Sequence, residues 1–252
     1  MNNPCAAHRG WSGRAPENTM ASIQMALSEP DIEWIEIDVQ LSKDHIPVVI
    51  HDYKLRRTTN GKGQIRDWTA AELAKLDAGG WFSPLYRNER IPTLEAVLQA
   101  VSVSGKCRLN IELKTDGIRY PYIEEQVLKL VRDYRMEDSV VITSFHFGTL
   151  HRMHQLSEGD LRTGFILDGW RDSLPEELKQ IGSDFLSIDY GRLTKDRVNR
   201  LQAAGIQIMA WTINDERSIR KIAMLDPGII ICTNHPDRWR NAMLSIDDGA
   251  RR

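Results

Sequence analysis

Along the chain, short runs of apolar residues alternate with longer segments whose apolar positions recur at helical spacing. That alternation is the pattern of parallel strands separated by helices. Strands are expected at 5–8, 34–39, 108–113, 139–144, 163–167, 185–189, 207–211 and 229–233. Helices are expected at 17–27, 94–103, 123–134, 149–156, 175–181, 195–204 and 216–225, with a closing helix at 237–243. Strands and helices in this order predict an α/β fold of the (β/α)8 or TIM barrel type, for which about 250 residues is typical. The 252 residues are therefore read as a single barrel domain spanning 1–252.

The stretch from Gln40 to Pro92 interrupts that rhythm, because a βα loop normally has about 2–6 residues. It is an insertion after the second strand. Residues 41–50 read as a turn and a returning strand, so a hairpin is expected, followed by a small insertion at about 52–90. Within it, Thr69-Ala70-Ala71-Glu72 matches a capping box, in which hydroxyl and carboxylate satisfy each other's free backbone N–H groups. Lying directly after His51, the insertion is expected to cap the barrel mouth. Its Trp68, Trp81, Phe82, Leu85 and Tyr86 either pack it down or offer an apolar wall to a lipid; packing is favoured, since exposed apolar patches are uncommon on soluble monomers.

Composition narrows the partners. With 33 basic and 35 acidic residues and a net charge of -2, the chain lacks the positive excess that drives nucleic-acid binding. Its three cysteines, Cys5, Cys107 and Cys232, are too scattered for a disulfide framework and read as free thiols in a reducing compartment. Met1-Asn2-Asn3-Pro4 has none of the basic and apolar character of a signal peptide. The apolar runs fall short of the ~20 residues that span a bilayer. A cytoplasmic location without stable membrane insertion is expected, acting on a small molecule.

The candidate chemistry sits at the C-terminal ends of the first three barrel strands, where the βα loops of such a barrel converge. His8-Arg9-Gly10 closes the first, Glu36-Ile37-Asp38 the second and Glu112-Leu113-Lys114 the third. Residues two apart on a strand point the same way, so these pairs aim their charges at one side. Glu36, Asp38 and Glu112 together concentrate three carboxylates, which is costly without a cation. All-oxygen ligation suits Mg²⁺ or Ca²⁺ better than Zn²⁺. His8 and His51 are the candidates for proton transfer, because imidazole titrates near neutrality. Arg9 and Lys114 offer charge to an anionic substrate, Arg9 with a fork suited to phosphate oxygens.

These residues form an ordered set. His8-Arg9-Gly10, Pro16-Glu17-Asn18-Thr19, Glu36-Ile37-Asp38-Val39, Pro47-Val48-Val49-Ile50-His51-Asp52 and Glu112-Leu113-Lys114 resemble the glycerophosphodiester phosphodiesterase family in order and spacing, in its cytoplasmic bacterial type. Thr58-Thr59-Asn60-Gly61, Leu76-Asp77-Ala78-Gly79, Ile91-Pro92-Thr93-Leu94-Glu95, Ser144-Phe145 and Trp211-Thr212-Ile213-Asn214 continue the likeness nearly to the end of the chain. The resemblance implies a phospholipase-C-like barrel that hydrolyses glycerophosphodiesters to glycerol 3-phosphate and an alcohol. It implies a divalent metal on Glu36, Asp38 and Glu112, acid/base histidines at His8 and His51, and phosphate held by Arg9 and Lys114, with Trp211 as a further substrate-binding residue. Which histidine is acid and which base stays open at this level. Competing expectations are a phospholipase or lysophospholipase D-type enzyme on the same barrel, or a non-catalytic phosphate-ester binder. Two departures from the family pattern stand out: His45 where a glycine is usual, and Asn234 where an aspartate is common.

Overall fold

The computed structural model describes residues 3–250. The first barrel strand, β1 (Cys5–His8), leads to helix α1 (Met20–Ser28), and β2 (Ile32–Leu41) turns back through the short β3 (Pro47–Val49). After the small helix α2 (Ala70–Leu73) come α3 (Leu94–Ser104), β4 (Arg108–Leu113), α4 (Ile123–Asp133), β5 (Val140–Ser144) and α5 (Phe147–Leu156). The chain completes its circuit with β6 (Arg162–Leu167), α6 (Leu174–Gln180), β7 (Phe185–Asp189), α7 (Lys195–Ala203), β8 (Gln207–Trp211), α8 (Glu216–Ala223), β9 (Ile230–Thr233) and α9 (Pro236–Ala250).

Every strand but β3 runs parallel to its neighbours, and β1 pairs with both β2 and β9, so eight parallel strands close into the expected (β/α)8 barrel. The antiparallel β3 lies on β2 through Val39–Val49, Gln40–Val48 and Leu41–Pro47, forming the expected hairpin. Its turn places His45 at φ 60, a left-handed conformation that histidine adopts more readily than bulky residues do.

Strand alternation sorts the side chains. On β2, Ile35, Ile37, Val39 and Leu41 face the helices and join the main core, with Leu109, Ile111 and Leu113 of β4 beside them. The alternate positions Trp34, Glu36, Asp38 and Gln40 therefore face the lumen. The floor of the lumen is apolar, made by Ala6, Trp34, Val141, Phe185, Met209, Ile230 and Cys232. Gly164 is needed there, since a Cβ at that position would meet the Phe185 ring at 2.6 Å. Above this floor the inward positions become polar and charged.

Helix α1 begins three residues later than the apolar period alone suggests. Thr19 caps it in a reciprocal box with Ser22, which frees Glu17 and Asn18 to turn toward the barrel. The insertion has its own small core of Val48, Ile50, Leu55, Ile65, Leu73, Ala78 and Ile91, with Trp68 packed against it, and Thr69 and Glu72 form the anticipated capping box of α2. Trp81, Phe82 and Tyr86 stack edge to face, and the Tyr86 hydroxyl donates to the Arg14 carbonyl at 3.1 Å. Among the described residues, no helix is long and apolar enough to cross a membrane.

Candidate active site

The strand register sets the site. His8 pairs with Glu36 across β1 and β2, and Asp38 pairs with Glu112 across β2 and β4. Glu36, Asp38 and Glu112 each offer an oxygen, and the three oxygens lie within 4.8 Å of one another. Such crowding in a buried place favours protonation or a cation. Glu36 is pushed well above the ordinary carboxylate range by burial and by Asp38 and Glu112. Glu112 is raised to about 7, again by burial first and then by Asp38. For Asp38 burial acts in the same direction, but Arg9 and Lys114 outweigh it and hold the group ionised and low. This oxygen-only donor set, with more negative charge than its two neighbouring cations offset, fits a hard divalent ion.

Arg9 occupies a left-handed turn at φ 58, which brings its backbone N–H to Glu36 Oε2 at 3.0 Å. Its Nε lies 3.2 Å from Asp38 Oδ2 and its Nη1 2.8 Å from Glu17 Oε1. The next residue, Gly10, must lack a side chain, because a Cβ would lie 2.5 Å from Ser22 Oγ. Asn18 donates to Asp38 Oδ2 at 2.8 Å. Lys114 Nζ lies 2.8 Å from Glu112 Oε1, 3.8 Å from Asp38 Oδ1 and 3.2 Å from His51 Nε2.

The two histidines have different supports. His8 Nδ1 is 2.6 Å from Asn234 Oδ1, and its Nε2 is 3.7 Å from Glu36 Oε2. Burial, then Arg9, lowers its pKa to about 4. His51 Nδ1 is 2.7 Å from the carboxylate of Asp52. Burial lowers His51 too, with Arg9 and Lys114 acting the same way, while Asp38 and Asp52 oppose them. The position that departs from the family pattern, Asn234, thus holds His8 through a neutral amide.

A cavity of about 130 Å³ opens among His8, Arg9, Glu36, His51, Glu112 and Lys114. Trp211 also lines it, and its buried indole N–H has no partner among the described residues. Asp38 lies behind this lining rather than on it. No residue between 52 and 90 lines the cavity, while Trp81 and Leu85 keep exposed apolar surface. The Trp81 and Phe82 rings are used in contacts with each other and with Tyr86.

Several site residues escaped the reading of strand ends alone. Asn110 and Ser187 line the cavity, and their signal was a polar residue at an inward position of an otherwise apolar strand. Phe145, half exposed, meets Trp211 edge to face at 6.1 Å. Glu17, Asn18 and Asp52 lay in quoted motifs without an assigned role. Arg57 had no local signal, because its importance depends on two carboxylates distant in sequence.

Comparison with known proteins identifies the family and the fold. Residues 8–238 match the model of the glycerophosphoryl diester phosphodiesterase family. A glycerophosphodiester phosphodiesterase of Bacillus altitudinis is 38% identical over 239 residues, covering 92% of this chain and 94% of that one. The solved structure of an Oleispira antarctica phosphodiesterase in complex with the product sn-glycerol-3-phosphate is 32% identical, with a TM-score of 0.87 over 95% of this chain and 96% of that chain. A glycerophosphodiester phosphodiesterase from Agrobacterium tumefaciens is 28% identical, with a TM-score of 0.80 over 94% and 98% of the two chains.

Proposed function

The chain belongs to the glycerophosphoryl diester phosphodiesterase family, and on that premise we propose that it hydrolyses glycerophosphodiesters to glycerol 3-phosphate and an alcohol, with His8 and His51 as acid/base pair beside a divalent cation on Glu36, Asp38 and Glu112. One observation carries this reading: three carboxylate oxygens lie within 4.8 Å of one another, and two of their residues, Glu36 and Glu112, line a cavity shared with two histidines, an arginine and a lysine.

A hard cation such as Mg²⁺ or Ca²⁺, held by the three carboxylates, would supply Lewis-acid polarisation of the phosphoryl oxygens. Arg9 and Lys114 add fixed positive charge on the same side, where the phosphate gains anionic hydrogen bonds in a partly buried site. The free indole N–H of Trp211 offers one more donor to a substrate oxygen.

The partners behind the rings divide the histidine roles. With its Nδ1 hydrogen donated to the Asn234 amide oxygen, His8 keeps a lone pair on Nε2 facing the cavity. A neutral partner and partial burial favour this unprotonated form, so His8 serves as the base. His51 has a carboxylate behind it, which stabilises an imidazolium, so His51 donates a proton to the departing alkoxide. Lys114, close to His51 Nε2 in this structure, acquires an anionic partner when phosphate arrives and frees that nitrogen to take up from solvent the proton that the transfer delivers.

Glycerol 3-phosphate released from a panel of glycerophosphodiesters, followed with and without chelator, tests the proposal. Release that depends on added Mg²⁺ or Ca²⁺ supports it. Equal release in chelator, or binding without turnover, would favour a metal-independent enzyme or a phosphate-ester binding protein.

A further inference from the structure

Arg57 stands outside the cavity, on the loop that follows β3, yet its guanidinium reaches both supports of the machinery. Nη1 and Nη2 donate to the two oxygens of Glu17, each at 2.7 Å. Nε and Nη2 donate to the two oxygens of Asp52 at 2.8 and 2.9 Å. Each carboxylate has a second duty. Asp52 Oδ1 also lies 2.7 Å from His51 Nδ1, and Glu17 Oε1 accepts from Arg9 Nη1 at 2.8 Å. Neither Asp52 nor Glu17 lines the cavity itself.

We propose that Arg57 is a positioning residue that sets His51 through Asp52 and Arg9 through Glu17, so that the proton donor and the phosphate anchor are oriented by one planar group. The chemistry favours arginine specifically. Only a rigid fork with donors on three nitrogens can hold two carboxylates bidentately at once, and the compact ammonium of lysine cannot span them. Exposed ion pairs contribute little to stability, and Arg57 is 43% exposed. Its loop has other supports: Leu55 is fully buried, its N–H donates to the Gly63 carbonyl, and the Thr59 N–H and hydroxyl both donate to the Leu55 carbonyl. The four hydrogen bonds of Arg57 therefore serve orientation more than folding.

This inference rests on the roles given above to His51 and Arg9. The test is steady-state kinetics of metal-saturated Arg57→Gln and Arg57→Lys with glycerophosphocholine, with thermal melting as the check on folding. Misplacing a reacting group by about 1 Å can cost roughly 10²-fold in rate, so Arg57→Gln should lose on the order of 10–100-fold in kcat and also raise KM. Arg57→Lys should recover little, while added guanidinium ion should restore part of the Gln variant's activity. The two arms separate by background. In Asp52→Asn the added Arg57→Gln change should act mainly on KM, and in Glu17→Gln mainly on kcat. Wild-type kcat and KM in Arg57→Gln, or the same loss in every background, overturns the proposal. If Arg57→Gln melts well below the wild type, guanidinium decides: restored activity supports positioning, and no restoration overturns it. A His51→Ala variant run alongside keeps the two readings apart. Near-wild-type turnover there removes the acid/base pair itself, whereas an inactive His51→Ala with an unaffected Arg57→Gln removes only the role of Arg57.

Discussion

His8 and His51 face one cavity but differ in what stands behind the ring, and that difference is the chemistry of two single residues. Asn234 presents an amide oxygen to His8, and Asp52 presents a carboxylate to His51. Asp52 is itself held low, to about 2, chiefly by its hydrogen bonds with Arg57, so it stays ionised throughout the working range. Burial lowers the His51 pKa most, Asp38 favours its proton, and Arg9 and Lys114 oppose it. Replacing Asp52 by Asn removes one of the supports for the imidazolium, so the His51 pKa should fall further. The alkaline limb of kcat/KM against pH should then move to lower pH, and the rate loss should be greatest for substrates with poor leaving groups. An unmoved limb in Asp52→Asn would show that His51 is not the proton donor. At this scale the sequence was informative where a motif named the residue and silent where the partner was remote. His8, Glu36 and Glu112 stand out as charged or titratable ends of apolar strands, whereas Arg57 meets Glu17 from forty positions away in the chain.

The elements were legible because strand and helix periods differ. In Trp34-Ile35-Glu36-Ile37-Asp38-Val39-Gln40-Leu41 the alternation alone shows which face is core and which is lumen. Boundaries were less legible, as at α1, where a capping box rather than hydrophobic period fixes the start. The insertion was recognised by its length and its capping box, but how it lies on the barrel depends on tertiary contacts that no local pattern records. Its aromatic cluster is built from Trp81, Phe82 and Tyr86 in mutual contact, away from the cavity lining. Trp81→Ala and Phe82→Ala should therefore leave the ranking of glycerophosphodiester substrates unchanged and lower the melting temperature instead. A large-to-small change at a half-buried aromatic should cost on the order of 1–3 kcal/mol, below the roughly 3–5 of a fully buried one. A reordered substrate ranking in either variant would return these rings to the active site. The connection of the insertion to the chemistry runs instead through Asp52 and Arg57.

Over the whole molecule, closure of the barrel forces charges from β1, β2 and β4 into one place, and the apolar floor beneath them shuts out water from below. This arrangement sets stability against function. Glu112 is raised to about 7, above its unfolded value, so its protonated form stabilises the fold at low pH and that contribution is lost as pH rises through about 7. Chelated protein should consequently melt lower at pH 8 than at pH 6 on account of this group. Glu112→Gln should remove much of that loss and weaken the response to metal. Added Mg²⁺ or Ca²⁺ should raise the melting temperature of the wild type, since a ligand present at about 100 times its Kd adds roughly 2.7 kcal/mol, and each kcal/mol corresponds to about 2–4 °C at this chain length. Melting curves across pH, with chelator and with each metal, check all three statements, and a Glu112→Gln protein with the wild-type metal response would contradict the carboxylate site.

The most direct measurement is turnover of glycerophosphocholine by wild type, His8→Ala, His51→Ala and the double variant at saturating metal, with an activated aryl phosphodiester run in parallel. Each single variant should lose about 10²–10⁴-fold on glycerophosphocholine, and the double variant should be little worse than the poorer single one, because the two groups act as a unit. His51→Ala alone should retain substantial cleavage of the aryl substrate, whose leaving group needs no proton. Near-wild-type turnover of glycerophosphocholine by either single variant would contradict the two-histidine mechanism and leave one group to carry both proton transfers.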